Sequence, residues 1–254
     1  MTQRTITAAV LVIGNEILSG RTKDVNLNHL AVTLGGWGIA VREARVVPDI
    51  ESEVVAAINA LRARYQYVFT TGGIGPTHDD ITAACVAAAF GVPVVQHPEI
   101  AERINAISAR FTRAAGTMRS QLLMARVPEG AGLIENPTGG PQGFFMENVY
   151  VMAGIPRVMQ AMLSSLESEL EHGAVVGSVS VSAYLGESRV AEALADIQDA
   201  HPDIDIGSYP FSRDSRYGTS LVARGTDPKR LQQVLEQLEA LIREAGETPF
   251  DQIS

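Results

Sequence analysis

Apolar runs and helical stripes alternate from the N-terminus to about Gly173. Residues 7–14, TAAVLVIG, are an apolar run ending in glycine, which predicts a strand buried on both faces. Leu27, Leu30 and Leu34 recur at helical spacing over residues 24–38, and a glycine pair closes that stretch. Residues 39–47 read as a second strand. Val54, Val55, Ile58 and Leu61 then share one face of a helix over 48–65, and residues 67–71 form a third strand. A helix of small residues over 79–91 is able to lie close to a sheet. Ile100, Ile104, Ile107 and Phe111 stripe a helix over 98–111, and a shorter helical piece holds Leu122, Leu123 and Met124. Residues 133–147 predict strand, Gly/Pro loop and strand. A further strand spans 148–154, and Pro156 opens a helix over 156–172. Strands separated by helices imply crossover connections, hence an α/β fold with a mostly parallel sheet covered on both faces.

Near Gly173 the rhythm changes. A strand over 178–186, a helix over 187–200, strands over 204–211 and 217–225, and a final helix make a β-α-β-β-α unit. Asp227 suits the N-cap of that last helix and Pro228 its first turn. Leu231, Val234, Leu235, Leu238, Leu241 and Ile242 form its apolar stripe. The expected organisation is therefore residues 1–173 as an α/β domain and 174–254 as a small α+β domain.

Composition narrows the partners. The 254 residues carry 46% hydrophobic and 19% charged positions, enough for an ordinary globular core. A net charge of −9 argues against a nucleic-acid surface, since no basic excess is available to neutralise phosphates. It leaves open a local anion site built from backbone N–H groups. The single cysteine, Cys85, excludes an internal disulfide framework and suits a reducing compartment. The first apolar run lacks a cleavage pattern, and no stretch approaches the ~20 apolar residues of a membrane span, so the expected location is the cytoplasm.

The chemistry concentrates in residues 70–82, TTGGIGPTHDDIT, between the third strand and the next helix. Ligands bind beyond the carboxyl ends of strands in open α/β sheets. Gly72, Gly73 and Gly75 permit close backbone approach there, and their N–H groups, with the following helix start, favour an anion. Thr71 and Thr77 add hydroxyls, and Asp79 and Asp80 offer carboxylates to a hard cation. The run lacks the spacing and lysine of a Walker loop, and it lacks the third glycine of a dinucleotide fingerprint. A plainer alternative remains open: Thr77 to Asp80 matches a capping box, so Thr77 would cap the helix while Asp80 reciprocates. Gly14, Asn15 and Glu16 end the first strand, and Pro48 and Asp49 end the second. If the sheet order allows, all reach the same corner. The loop Asn136 to Gly143 offers further backbone donors at Gly139 and Gly140, or is simply a hairpin connection. His78 lies in the motif. His29, His97, His172 and His201 fit surface or helix-end positions. Cys85, inside a small-residue helix, fits an inert packed thiol.

At these residues the sequence resembles the MoaB/Mog-like molybdopterin-binding family, in the version found in CinA-like competence/damage-inducible proteins. It is also similar to the N-terminal domain of eukaryotic FAD synthase. The match runs through Gly14 to Leu18, Asp24 to Asn26, Val47 to Asp49, the whole 70–82 run, Asn136 to Phe144 and Ala153 to Pro156. Ile206 to Pro210 resembles the small domain that follows in CinA-like chains. The resemblance implies a three-layer α/β/α domain whose rim pocket takes a molybdopterin or a nucleotide. It puts essential acids at Asp49 and Asp80, a phosphate cradle at Gly72, Gly73 and Gly75, and pocket positions at Asn26, Glu16 and Gly154. Ala153 stands where the family has a proline, and Pro141-Gln142-Gly143-Phe144 where it usually has Ala-Pro-Gly-Phe.

The resemblance further implies a hydrolase: a nucleotide pyrophosphatase acting on ADP-ribose or FAD, dependent on Mg²⁺, Mn²⁺ or Co²⁺, with Glu16, Asp79 and Asp80 as metal ligands. A binding module without turnover, and molybdopterin adenylylation, are the alternatives. Relatives carry a further nicotinamide-mononucleotide deamidase or FAD adenylyltransferase domain, which these residues are not expected to contain. The expected partners are a phosphorylated small molecule and further copies of the chain, with neither nucleic acid nor membrane.

Overall fold

The computed structural model describes residues 5–109 and 119–251, which divide into two compact units, Met1–Ala174 and Val175–Ser254. The strands of the first unit are β1 (Ile6–Ile13), β2 (Ile39–Val47), β3 (Tyr67–Thr71), β4 (Val94–Gln96), β5 (Arg126–Pro128), β6 (Gly132–Ile134), β7 (Gly143–Met146) and β8 (Val149–Met152). Its helices are α1 (Asn15–Leu18), α2 (Asn26–Gly36), α3 (Glu51–Arg62), α4 (Thr82–Phe90), α5 (Pro98–Ala109) and α6 (Pro156–Ser165). Six strands make the central sheet in the order β2-β1-β3-β8-β7-β6, and β4 pairs with β5 separately. The β2, β1, β3 and β8 strands run parallel, while β7 and β6 add an antiparallel hairpin at one edge.

The unbroken apolar run of β1 has a direct cause. Ala9, Leu11 and Ile13 pack on one face with residues of α3, α4 and α5, while Ile6, Ala8, Val10 and Val12 pack on the other with α2 and α6. A strand sandwiched in this way cannot alternate apolar with polar, because neither side meets water. The result is the expected three-layer α/β/α arrangement. Small side chains let α4 lie close, and Cys85, Val86 and Ala89 bury against the sheet.

The helix ends differ from the periodic pattern. The leucine stripe of α2 begins only at Asn26, where Asp24 Oδ1 accepts from the Leu27 N–H at 3.0 Å. The helix expected over 79–91 begins at Thr82, because residues 77–80 form their own turn. The helix expected over 156–172 stops at Ser165, yet Leu166 and Leu170 stay buried, so their spacing reports burial beyond the helix. Phe111, at the end of the α5 stripe, lies outside the described residues. Among the described residues, no helix is long and apolar enough to cross a membrane.

The second unit is a three-stranded antiparallel sheet of β9 (Gly177–Ala183), β10 (Asp205–Arg213) and β11 (Arg216–Gly225), in the order β10-β11-β9. Helices α7 (Ala191–Ala200) and α8 (Pro228–Glu244) cover it. The Asp227 carboxylate accepts from the Lys229 N–H at 2.9 Å, as the cap pattern requires. His201 closes α7, one of the two placements its sequence context allowed, and it is buried there. Its Nε2 meets Gln237 Oε1 at 3.0 Å and its Nδ1 meets Arg230 at 3.2 Å.

Candidate functional site

The parallel register brings the ends of four strands level. Ile13 sits opposite Val47, Val12 opposite Thr71, and Thr71 opposite Met152. The residues that follow each strand, Gly14, Pro48, Gly72 and Ala153, therefore share one rim. Two backbone bonds bind the rim: Gly14 N–H to the Val47 carbonyl at 3.1 Å, and Gly72 N–H to the Met152 carbonyl at 3.3 Å.

The glycine run crosses this rim under tight constraint. Gly72 has φ of 101°, and a Cβ there would lie 2.2 Å from the Ile13 carbonyl oxygen. Gly73 has φ of 67°, and its Cβ would lie 2.2 Å from Thr82 Oγ1. Glycine is thus required by packing of the run against β1 and α4, before any ligand is considered. Thr82 fixes the crossing further, because its hydroxyl donates to the Gly72 carbonyl at 2.9 Å. Among the described residues, the N–H groups of Gly73 and Ile74 have no acceptor, so two adjacent donors stay available at the rim.

Asp80 holds the rest of the loop. Its Oδ1 accepts from the Gly75 N–H at 2.6 Å, and its Oδ2 accepts from the Thr77 N–H at 2.7 Å. The Thr77 hydroxyl lies 2.6 Å from both Asp79 Oδ1 and Asp80 Oδ2, although it has one proton to give. No side chain caps α4, so the capping-box alternative fails for a geometric reason: the acid, two residues before the helix starts, closes a loop ahead of it. The Thr77 hydroxyl, followed by the Asp79 N–H, holds the Asp79 carboxyl below its ordinary value, so Asp79 is ionised at neutral pH.

A cleft opens on each side of this run. The first, about 200 Å³, is lined by Gly73, Ile74, Gly75, Thr77, His78 and Asp80 of the run, together with Ile81, Ala83, Ala84, Leu123, Met124, Arg126, Gln142 and Phe144. The second, about 70 Å³, is lined by Glu16, Thr22, Lys23, Asp24, Asn26, Thr71, Gly72 and Gly154, among others. Asn26 is 5% exposed; its Nδ2 donates to the Gly154 carbonyl at 2.8 Å, and its buried Oδ1 has no donor among the described residues.

The expected site residues therefore divide. Gly73, Gly75, Thr77 and Asp80 line the first cleft, whereas Glu16, Asn26, Thr71, Gly72 and Gly154 line the second. Asp49 and Asn15 line neither; Asp49 Oδ2 accepts from the Asn15 N–H at 2.8 Å and so braces the turn after β1. Gly139 and Gly140 belong to the loop joining β6 to β7 and line neither cleft. Asn136 shapes that loop, donating to the Pro141 carbonyl at 2.9 Å and accepting from the Thr138 N–H at 3.1 Å. Arg126 has no motif around it and is legible as a site residue only once β5 is placed.

Among the described residues, no three Asp, Glu, His or Cys side chains come together as a metal-ligand set. Glu16 faces a different cleft from Asp80. Magnesium commonly uses one or two carboxylates plus substrate phosphates, and the exposed Asp79 carboxylate fits that manner of binding.

Known proteins share both units. The family described as a probable molybdopterin binding domain matches residues 9–172, and the one described as the FAD synthase middle domain matches residues 175–250. A protein of Archaeoglobus fulgidus is 29% identical over 236 residues, covering 92% of this chain and 97% of the relative. A CinA-like protein of Salinibacter ruber is 31% identical over 248 residues, or 93% of this chain, and this chain spans 59% of that relative's length. The crystal structure of the protein CinA, of unknown function, from Thermoplasma acidophilum superposes with a TM-score of 0.59 at 29% identity, covering 64% of this chain and 96% of that one.

Proposed function

This chain belongs to the CinA-like group of the molybdopterin-binding-domain family, and on that premise we propose that it binds a nucleotide pyrophosphate such as ADP-ribose or FAD at the rim and hydrolyses it. The observation that carries the reading is the pair of N–H groups at Gly73 and Ile74 that have no acceptor among the described residues, held at the carboxyl ends of the parallel strands beside a cleft. These donors, with the Arg126 side chain, which has no acidic partner among the described residues, would supply a phosphate site in a chain whose overall charge is negative.

The chain's own residues account for the remaining roles. Asp80 holds the loop in its donor-presenting shape. Asp49 has one oxygen committed to Asn15 and its other oxygen uncommitted among the described residues. It lines neither cleft, so as general base it would serve a ligand that extends along the rim to Asn15, taking a proton from water while that water's oxygen bonds to phosphorus. The bridging P–O bond breaks, releasing AMP and the second phosphate half. Asp79, as a carboxylate, would hold a divalent cation together with the substrate phosphates; the cation supplies neutralisation of charge on the phosphoryl oxygens.

A second reading has its own support. Both Asp80 oxygens serve the loop, which suits a module that holds a molybdopterin or nucleotide without turnover. Incubation with ADP-ribose or FAD plus Mg²⁺, Mn²⁺ or Co²⁺ separates the two. Release of AMP that depends on metal and is lost in Asp49→Asn supports hydrolysis. Thermal stabilisation by ligand without AMP supports the binder. Neither effect overturns the rim site.

A further inference from the structure

The β9–β11 sheet buries one face against helices. Val179, Val181 and Ala183 of β9, Leu221 and Ala223 of β11 and Ile206 of β10 pack with α7 and α8. Strand alternation turns their neighbours to the other face, and the SVSVS run of residues 178–182 is that pattern in sequence. The second face is not polar throughout. Tyr209, 45% exposed, and Phe211 lie over the bare backbone of Gly207 and Gly218, where a Cβ would come within 3.2 Å and 2.3 Å of their rings. Tyr184, 5.8 Å from Phe211 between ring centroids, carries the Arg216 guanidinium 3.8 Å over its own ring. Arg224 donates to the Tyr209 hydroxyl at 2.9 Å.

Cations gather on the same face. Arg213 and Arg216 stand directly opposite each other at the end of the β10–β11 hairpin, and like charges so placed repel. Asp205 and Asp214 are the acids of this hairpin, and among the described residues neither forms an ion pair. An anion between the two arginines removes their repulsion. From Arg216 to Arg224 the β11 strand provides a track of about 26 Å, at about 3.3 Å per residue. We propose that this face binds single-stranded nucleic acid: bases stack on the Tyr209 ring and on the Arg216 guanidinium, and phosphates meet Arg213 and Arg224. Exposed rings set among cations on a sheet surface suit unstacked bases and their backbone. A second copy would bring the same arginines to the face, so charge disfavours self-association there. The net charge of −9 confines the attraction to this patch and keeps the affinity modest. The site belongs to the second unit and does not rest on the rim reading.

The test is fluorescence anisotropy of a labelled oligothymidylate of about ten nucleotides with the full chain, beside oligouridylate and a duplex of equal length. The single strands are expected to bind with a Kd of about 10⁻⁵ M at low salt, and log affinity to fall against log salt with a slope of about −2, about 0.7 for each arginine engaged. Tyr209→Ala is expected to weaken binding about tenfold, the yield of one stacked base. Arg213→Gln is expected to reduce the slope by about 0.7. Both side chains are exposed, so both variants fold, and unchanged melting curves check this. Arg243→Gln, on α8, is expected to bind as the wild type does. Equal binding of the duplex, or an affinity that Tyr209→Ala and Arg213→Gln both leave unchanged, overturns the stacked arrangement. No anisotropy change up to about 10⁻³ M chain overturns the site. Dimerisation that Tyr209→Ala abolishes, or capture by phosphatidylserine vesicles, overturns it likewise where no oligonucleotide binds.

Discussion

Replacing Asp80 with asparagine separates a loop-holding role from a purely chemical one. The carboxylate accepts from the Gly75 N–H and the Thr77 N–H, and it shares the single Thr77 hydroxyl proton with Asp79. Asparagine keeps one oxygen. Its best orientation retains the two Thr77 donors and turns the amide N–H₂ against the Gly75 N–H, so one charge-assisted bond is lost and two donors face each other. A hydrogen bond to a charged group is worth about 1.5–3 kcal/mol, and partial exposure lets water recover some of this, so the expected loss is about 1–2 kcal/mol. For a unit of this size, that lowers the melting temperature by roughly 2–8 °C. Amide hydrogen exchange is the sharper assay. Protection at Gly75 is expected to fall in Asp80→Asn while protection along β1 and β3 remains. Ligand-induced stabilisation should fall with it, because Gly73 and Ile74 belong to the same loop. Asp79→Asn, whose side chain makes no bond to the Gly75 N–H, should leave Gly75 protected. An Asp80→Asn protein with wild-type melting and wild-type exchange at Gly75 would refute the loop-holding role.

Other sites give independent checks. Gly73→Ala forces a Cβ against Thr82 Oγ1 and a side chain into φ of 67°, with an expected cost of about 2–4 kcal/mol by denaturant unfolding. The same change in a Thr82→Ala background should cost less, and equal costs would show that the contact is unimportant. Cys85 is fully buried, and burial, with Glu51 and Asp49 adding to it, pushes its thiol up to about 11. It should resist a thiol reagent at pH 8 in the native protein and react at once in denaturant. Glu43 accepts from the Tyr65 hydroxyl and Arg45, both at 2.7 Å, and these bonds hold its carboxyl below the ordinary value, the tyrosine first. Its contribution to stability is therefore present above about pH 4.5 and lost as pH falls through the folded value, so the acid limb of melting temperature against pH should flatten in Glu43→Gln.

Local periodicity made much of the fold legible. Strand β3 begins and ends where its apolar run does, because it is buried between helix layers, and the edge strand β2 keeps its expected bounds although Arg42, Ala44 and Val46 are exposed. Helix starts were less legible. Asp24 and Asp80 both have side chains that bond nearby N–H groups, and a single sequence does not say whether such a bond opens a helix or closes a loop ahead of it. The short β4–β5 pair, of three residues each, is too brief to leave a periodic signal.

The sequence by itself determined that a glycine-rich, acidic corner follows a buried strand, because so many glycines and short polar residues have no place inside a regular element. Tertiary structure alone decided what that corner faces. Glu16 and Asp80 are drawn to one rim by parallel pairing but lie in clefts on either side of the glycine run, since the run itself rests on the Ile13 carbonyl and divides them. Gln142 and Arg126 meet the run only because the β7 edge and β5 fold back beside α4, and no local pattern records a contact between segments so far apart in the chain.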